Sequence, residues 1–177
     1  MDLRRKDKRD SFRFRIKLII FAVVLIYGCR YSFTGASVPP HLKTIAIPVF
    51  DDQSGYGRAT LREELTNKIV ERFILDNTLK IADKSTANSL LEGVIVSVQD
   101  NPVVVGTGER VVKSRITITV RVSFYDMVKR TKVWERTFSN WGEYELEGNI
   151  QNNLQLGIKQ AIEKLSEDIL LATVANW

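Results

Sequence analysis

Six basic side chains lie on one predicted strand and at the turn that follows it: Lys113, Arg115, Arg121, Lys129, Arg130 and Lys132. The first three have odd numbers, so they share one side of an extended strand. Guanidinium and ammonium groups pair with phosphates and carboxylates. The pattern therefore predicts a binding site for an anionic ligand, and the alternative is a solvated basic face without a ligand.

No combination of residues in the sequence is typical of a catalytic or metal site. The chain has one His and one Cys, which excludes multi-histidine and multi-cysteine metal sites. It contains no G-x-S-x-G, P-loop or H-E-x-x-H motif. His41 is expected to be solvated in a tether, and Asp51 with Asp52 is expected to form a polar turn rather than bind a cation. We therefore expect no enzyme, no metal and no cofactor.

The single cysteine stands at the end of an apolar run near the start of the sequence. Residues 18–27 (LIIFAVVLIY) carry no charge and follow a basic segment, which is typical of an export signal. Ten helical residues rise about 15 Å, half of the roughly 30 Å hydrocarbon core, so the run is too short for a permanent transmembrane anchor. Ile26, Tyr27, Gly28 and Cys29 resemble the bacterial lipobox, although the position of Tyr27 is normally small. We predict acylation of Cys29, and because the next residue is not aspartate, the outer membrane is favoured.

The excess positive charge of the chain lies within this predicted signal. The full sequence carries +5, and its first 17 residues hold eight basic against three acidic side chains, which is the whole excess. Residues 29–177 then have 18 Lys and Arg against 18 Asp and Glu. We predict a signal peptide over residues 1–28, a lipidated N-terminus and tether over residues 29–43, and a single α+β domain over residues 44–177. A neutral, exported domain disfavours nucleic acid as the partner.

Apolar periodicity predicts the elements that position the basic residues. Ile and Val alternate with polar residues from 115 to 125, which predicts an antiparallel strand with one wet face, and residues 132–140 return as its hairpin partner. Apolar residues every three or four positions predict helices over residues 57–76 and 150–169. The remaining predictions are strands over residues 44–50 and 90–99, a short strand over residues 79–82 that is not counted in the order below, a turn over residues 51–55 and a loop over residues 100–110. The expected order is β-α-β-β-β-α, with two helices packed on one face of a mostly antiparallel sheet.

The residues that follow the apolar run resemble the start of a known lipoprotein family. Residues 28–36 read GCRYSFTGA, and residues 38–47 read VPPHLKTIAI. Both stretches are similar to the LPS-assembly lipoprotein family LptE, in its short form. The resemblance continues in pattern through the helices and the hairpin, and it implies a fold of two helices on a small sheet.

The resemblance also implies a non-enzymatic role at the outer membrane. It implies a plug inside an LptD-like β-barrel translocon, whose assembly the protein assists, and contact with lipopolysaccharide during delivery to the cell surface. The N-terminal lipid would hold the protein on the periplasmic side of the outer membrane. No family motif assigns the ligand contacts, so the six basic residues stay predictions from charge and face. The alternative function is a lipoprotein scaffold of another envelope or secretion complex.

Overall fold

The computed structural model describes residues 38–105 and 111–175 of the chain. The predicted signal peptide, Cys29 and most of the predicted tether lie outside these residues. The elements in chain order are β1 (Thr44–Ala46), β2 (Asp51–Asp52), α1 (Leu61–Asp76), β3 (Lys80–Ile81), β4 (Ser89–Val105), β5 (Val111–Asp126), β6 (Thr131–Glu145) and α2 (Ile150–Val174).

All of these strands belong to one sheet. Its order is β3-β1-β4-β5-β6, and β2 also pairs with β4. β4, β5 and β6 are each at least 15 residues long and form an antiparallel meander. β1 and β2 are short and run parallel to β4. The predicted α+β class, with two helices and a mostly antiparallel sheet, is confirmed.

Both helices pack on the same face of this sheet. The even-numbered residues of β5 from Ile116 to Phe124 are fully buried, and they form one core with Leu65, Ile69 and Phe73 of α1 and the apolar stripe of α2. The odd-numbered residues of β5 lie on the opposite side because successive side chains of a strand alternate. We call this opposite side of β4, β5 and β6 the open face.

The N-terminal elements are shorter than the sequence predicts. β1 ends at Ala46, two residues before Pro48, whose missing N–H cannot join a ladder. Asp51–Asp52, predicted as part of a turn, instead pairs in parallel with β4 as β2. α1 begins at Leu61 and not at residue 57, because Gly57 has a left-handed φ of 77° that a right-handed helix does not contain.

The long strands extend beyond their predicted ends. The loop predicted over residues 100–110 is wrong in its first half, because β4 continues to Val105. The ladder shifts register between Pro102 and Val104, which accommodates the missing N–H of the proline. β6 likewise continues past residue 140 to Glu145. Pairing with β5 holds both segments extended, against the turn-forming tendency of their own residues.

α2 lies directly against the backbone of β6. Gly142 of β6 faces Gly157 of α2, and a Cβ atom on Gly142 would come 1.9 Å from the Gly157 carbonyl oxygen. This close approach requires glycine at position 142 of β6, whereas a Cβ on Gly157 itself would come no closer than 3.3 Å to Ile116 and Tyr144. The two helices run parallel to each other, since Gln155 contacts Glu64 and Glu163, eight residues later, contacts Arg72.

Candidate functional site

Two of the predicted cations form ion pairs on the open face. Lys113 Nζ lies 3.0 Å from a carboxylate oxygen of Glu145, and Arg115 Nη2 lies 2.7 Å from one of Glu143. Each glutamate stands directly opposite its partner on β6. The hydrogen bond to Glu145 raises the pKa of Lys113. Both cations are therefore neutralised within the sheet.

A tryptophan lies between two cations beside these pairs. The guanidinium carbon of Arg115 is 4.0 Å from the Trp141 ring centroid, and Lys164 Nζ of α2 is 3.8 Å from it. Lys164 also donates a hydrogen bond of 2.9 Å to the Trp141 carbonyl. Cation–π contacts at exposed sites contribute about 0.5–1 kcal/mol each. Arg115 is thus held by both a carboxylate and an aromatic ring.

Arg121 forms no ion pair with the described residues, but acidic groups share its surroundings. It faces a groove lined by three carboxylates and two basic groups, namely Asp51, Glu92, Glu135, Lys84 and Arg121. The hydrogen bond from Lys132, followed by one from Ser123 and with a smaller contribution from Arg121, lowers the pKa of Glu135. The excess of carboxylates makes this groove a weak site for an anion.

Unpaired cations occur together with apolar groups at the turn between β5 and β6. We call residues 126–133 the hairpin end. Lys129 and Arg130 are exposed and have no ion pair in the part of the chain that the structure describes, whereas Lys132 Nζ lies 2.6 Å from Glu135. Three aliphatic side chains are exposed beside them: Met127 by 38%, Val128 by 56% and Val133 by 39%. Such a surface suits a ligand that combines anionic groups with hydrocarbon.

A buried carboxylate holds the turn of the hairpin end in place. The side chain of Asp126 is 4% exposed, and its Oδ2 lies 2.7 Å from His41 Nε2. Its Oδ1 accepts a hydrogen bond of 2.8 Å from the Lys129 N–H. Burial raises the pKa of Asp126, but these two hydrogen bonds outweigh it, so the pKa lies below its usual value. The expectation that His41 is merely solvated is wrong, because His41 fastens the start of the domain to this turn.

An aromatic cluster adjoins the hairpin end on the helix-covered face. The rings of Phe124 and Trp134 stack with centroids 5.7 Å apart, and Trp134 meets Phe138 edge-on at 6.1 Å. Trp134 and Phe138 are half-buried. Arg136 lies between them in sequence, with its guanidinium carbon 5.6 Å from the Trp134 ring, and none of the described carboxylates lies within 4 Å of it.

The structure divides the six predicted basic residues into separate groups. The last three lie together at the hairpin end, whereas Lys113 and Arg115 lie near the opposite end of β5, with Arg121 between the two groups. Lys113 precedes Asp126 by 13 residues of strand, a separation of roughly 43 Å. One ligand head group does not span that distance. The hairpin end is therefore the better candidate for a compact binding site.

Sequence analysis missed two features of this site. Met127 and Val128 are apolar residues within a polar turn, and that contrast was a signal of an exposed apolar patch. The contact between His41 and Asp126 joins residues 85 positions apart, so no local pattern indicated it.

No three His, Cys, Asp or Glu side chains converge to hold a metal ion within residues 38–105 and 111–175. Neither α1 nor α2 combines the length and the apolar character needed to cross a membrane.

Several solved structures share this fold at low sequence identity. The hypothetical protein CT253 from Chlamydia trachomatis is 10% identical with a TM-score of 0.56, over 73% of this chain and 94% of that one. Rare lipoprotein B from Shewanella oneidensis is 16% identical with a TM-score of 0.50, over 73% of this chain and 92% of that one. A minor lipoprotein from Acinetobacter baumannii is 14% identical with a TM-score of 0.50, over 78% and 95%. At these identities the likeness concerns the fold alone.

Sequence comparison identifies the family. No curated protein matches the chain. The profile of the family LptE, described as lipopolysaccharide-assembly, matches residues 42–173. This match includes α1, every strand of the sheet and α2 up to its last residue but one, and it extends over well more than half of the chain. The chain therefore belongs to the LptE family of lipopolysaccharide-assembly proteins.

Proposed function

We propose that the protein is an outer-membrane lipoprotein that serves lipopolysaccharide transport as the plug and assembly partner of an LptD-like β-barrel. Its membership of the LptE family supports this role. In this proposal residues 1–28 are removed as a signal peptide, and lipid on Cys29 holds the protein on the periplasmic side of the outer membrane. The role requires no catalysis by the chain.

The chemistry of the hairpin end supports direct contact with lipopolysaccharide, which carries phosphates next to acyl chains. Lys129 and Arg130 have no ion pair among the described residues. Met127, Val128 and Val133 expose aliphatic surface beside these two cations. Cationic side chains pair with phosphate, and exposed apolar groups are favourable partners of hydrocarbon. This juxtaposition is the observation that carries the proposal.

The other predicted cations are weaker candidates for contact with phosphate. Lys113, Arg115 and Lys132 each lie within 3.0 Å of a glutamate carboxylate. A phosphate would have to displace that glutamate before it could pair with any of them. Arg121 has no ion pair with the residues that the structure describes, but it shares its groove with three carboxylates. We therefore expect binding to depend most on Lys129 and Arg130.

A double substitution at the hairpin end tests the ligand contact. Lys129→Gln with Arg130→Asn removes both charges, and asparagine tolerates the left-handed backbone at Arg130, where φ is 56°. A cation near an anionic lipid surface contributes about 1 kcal/mol, so we expect the affinity of the full chain for lipopolysaccharide to fall about 30-fold. The matched control, Arg62→Asn with Lys159→Gln, removes the same charge from exposed positions of the two helices.

Two results would refute this site. Unchanged affinity of the hairpin variant would place the contact elsewhere. Equal losses in the hairpin variant and the helix control would indicate an effect of net charge and not of a binding site.

The anchor and the barrel partner are tested separately. Cys29→Ala should leave the precursor unprocessed, as measured by mass, and normal maturation with membrane retention would contradict lipidation at this residue. Detergent purification of the wild type from its native envelope should recover a large outer-membrane β-barrel. Recovery of a different secretion pore would instead favour the scaffold alternative.

A further inference from the structure

One edge of the sheet, formed by β6, is covered only in part. Residues of an edge strand point their N–H and C=O groups alternately toward the neighbouring strand and away from it. The N–H of Leu146, just after β6, donates to the Val112 carbonyl at 3.0 Å, so even-numbered residues face β5 and odd-numbered residues face outward. Accordingly, the outward carbonyls of Trp141 and Glu145 accept hydrogen bonds of 2.9 and 3.0 Å from side chains of α2.

This cover ends toward the hairpin end. The last hydrogen bond between β6 and α2 among the described residues is donated by the side-chain amide of Asn140 to the carboxylate of Asp168. Beyond it, the outward N–H and C=O groups of Glu135, Thr137 and Ser139 have no hydrogen-bond partner in the described part of the chain. Outward N–H and C=O groups on alternate residues of a strand repeat every 6.6–6.8 Å or so. The backbone groups of another extended strand have the same repeat, so such a strand can pair with this edge.

We propose that the edge from Glu135 to Ser139 binds an extended strand of a second protein, which adds to the sheet beyond β6. On the helix-covered face, the half-buried rings of Trp134 and Phe138 favour apolar side chains of that strand. Arg136 stands between these rings without a carboxylate, so it favours Asp or Glu directly opposite. On the open face, the hydroxyl groups of Thr137 and Ser139 favour polar residues.

Antiparallel pairing with β6 of a second copy of this chain does not suit this edge. When two β6 strands pair antiparallel through their outward groups, odd-numbered residues pair with odd and even-numbered with even. The even-numbered residues of β6 are Lys132, Trp134, Arg136, Phe138, Asn140, Gly142 and Tyr144. None of them is acidic, so no antiparallel register gives Arg136 a carboxylate. The strand belongs to the barrel partner, and to that extent the inference rests on the proposed function.

Thr137→Pro tests the edge because it removes an outward N–H and leaves the hydrogen bonds between β5 and β6 in place. Thr137→Ala is the matched control, since it changes the side chain and keeps the N–H. Full-chain variants are expressed in the native envelope and extracted in detergent, and the co-purified barrel is quantified. We expect at least tenfold less barrel with the proline variant and the wild-type amount with the alanine variant. An undiminished amount with a correctly folded proline variant would overturn the inference.

Hydrogen exchange of the wild type gives a second measurement, independent of how the proline variant folds. The amides of Glu135, Thr137 and Ser139 should exchange at least tenfold more slowly in the native complex than in the protein stripped of partners. Unprotected amides in a complex that contains the barrel would overturn the added strand and leave the proposed function standing. Protection without any barrel would retain the added strand and overturn the barrel as its source. A preparation with neither protected amides nor a barrel would overturn both the added strand and the proposed barrel partner.

Discussion

Replacing Gly142 with alanine would place a methyl group between β6 and α2. Its Cβ would lie 1.9 Å from the carbonyl oxygen of Gly157, and 2.7 and 2.9 Å from the carbonyl carbon and Cα of the same residue. Ordinary contact begins at 3.4 Å, so α2 would have to move by 1.5 Å (3.4 minus 1.9). Because all three atoms belong to the backbone, no side-chain rotation relieves the clash.

Movement of α2 would disturb its buried apolar face. This face contains three fully buried side chains of α2, namely Ile158, Leu165 and Ile169. Overpacking a well-filled site costs about 1–3 kcal/mol, and the rigid contact places Gly142→Ala near 3 kcal/mol on that scale. For a domain of this size, 1 kcal/mol lowers Tm by roughly 3–4 °C, so we expect Tm to fall by about 10 °C.

Thermal unfolding of the full chain, followed by circular dichroism, measures this effect. Gly157→Ala is the control, because its Cβ would come no closer than 3.3 Å to the side chains of Ile116 and Tyr144. Alanine also favours the helix by about 1 kcal/mol, which offsets the slight crowding. A Gly142→Ala protein that melts within about 2 °C of the wild type would refute the direct contact between α2 and β6.

Three further substitutions test the turn, the buried face and the packing of Phe50. The pKa of Asp126 is lowered on folding from its usual 3.8, so its contribution to stability is complete above that value and is lost as the pH falls through the lower folded pKa. Asp126→Asn should therefore cost about 1–3 kcal/mol at pH 7 and flatten the loss of stability in acid, as urea titrations at several pH values would measure. Ile118→Asp should abolish cooperative melting, because an unpaired buried charge costs several kcal/mol, and a wild-type melt would contradict the assigned face. Gly93→Ala should lower the free energy of unfolding by about 1–3 kcal/mol, since its Cβ would lie 2.1 Å from the Phe50 ring. Adding Phe50→Leu to the Gly93→Ala protein should restore part of the melting temperature, and no restoration would show that this contact is not the cause.

The faces of single elements could be predicted from sequence. The alternation along β5 predicted that Ile116, Ile118 and Val120 are buried, and all three are fully so. The stripes of α1 and α2 were predicted by the same kind of pattern. Such patterns succeed because residues two to four apart in sequence decide which side of one element is apolar.

The strand boundaries depended on pairing with other strands. Pro102 within 100–110 predicted a loop, yet pairing with β5 keeps the chain extended as far as Val105. The two residues of β2 predicted a turn by their own composition, and pairing with β4 makes them a strand. Pro102 lies opposite Ser114, 12 residues on, and Asp51 lies opposite Val94, 43 residues on. In both cases the hydrogen bonds of the ladder outweigh the weak preference of individual side chains.

The pairing of Lys113 and Arg115 was decided by a single register shift. Asp126 pairs with Thr131 at the turn, and that register continued along the hairpin would place Arg115 opposite Gly142. The shift between Phe124 and Tyr125 moves β6 by one residue and places Arg115 opposite Glu143 instead. A shift of one residue exchanges the two faces of a strand, so it brings glutamates onto the basic face.

The sequence by itself determined the fold class, the buried face of each long element and the basic residues available for an anionic ligand. The tertiary structure alone decided which of those residues are free. It pairs Lys113 and Arg115 of β5 with glutamates of β6 and leaves Lys129 and Arg130 exposed beside apolar side chains. The physical reason is that periodicity reports the neighbours of a residue along one element, whereas ion pairing depends on the register between elements. That register is set by a bulge and by the contacts of the whole sheet.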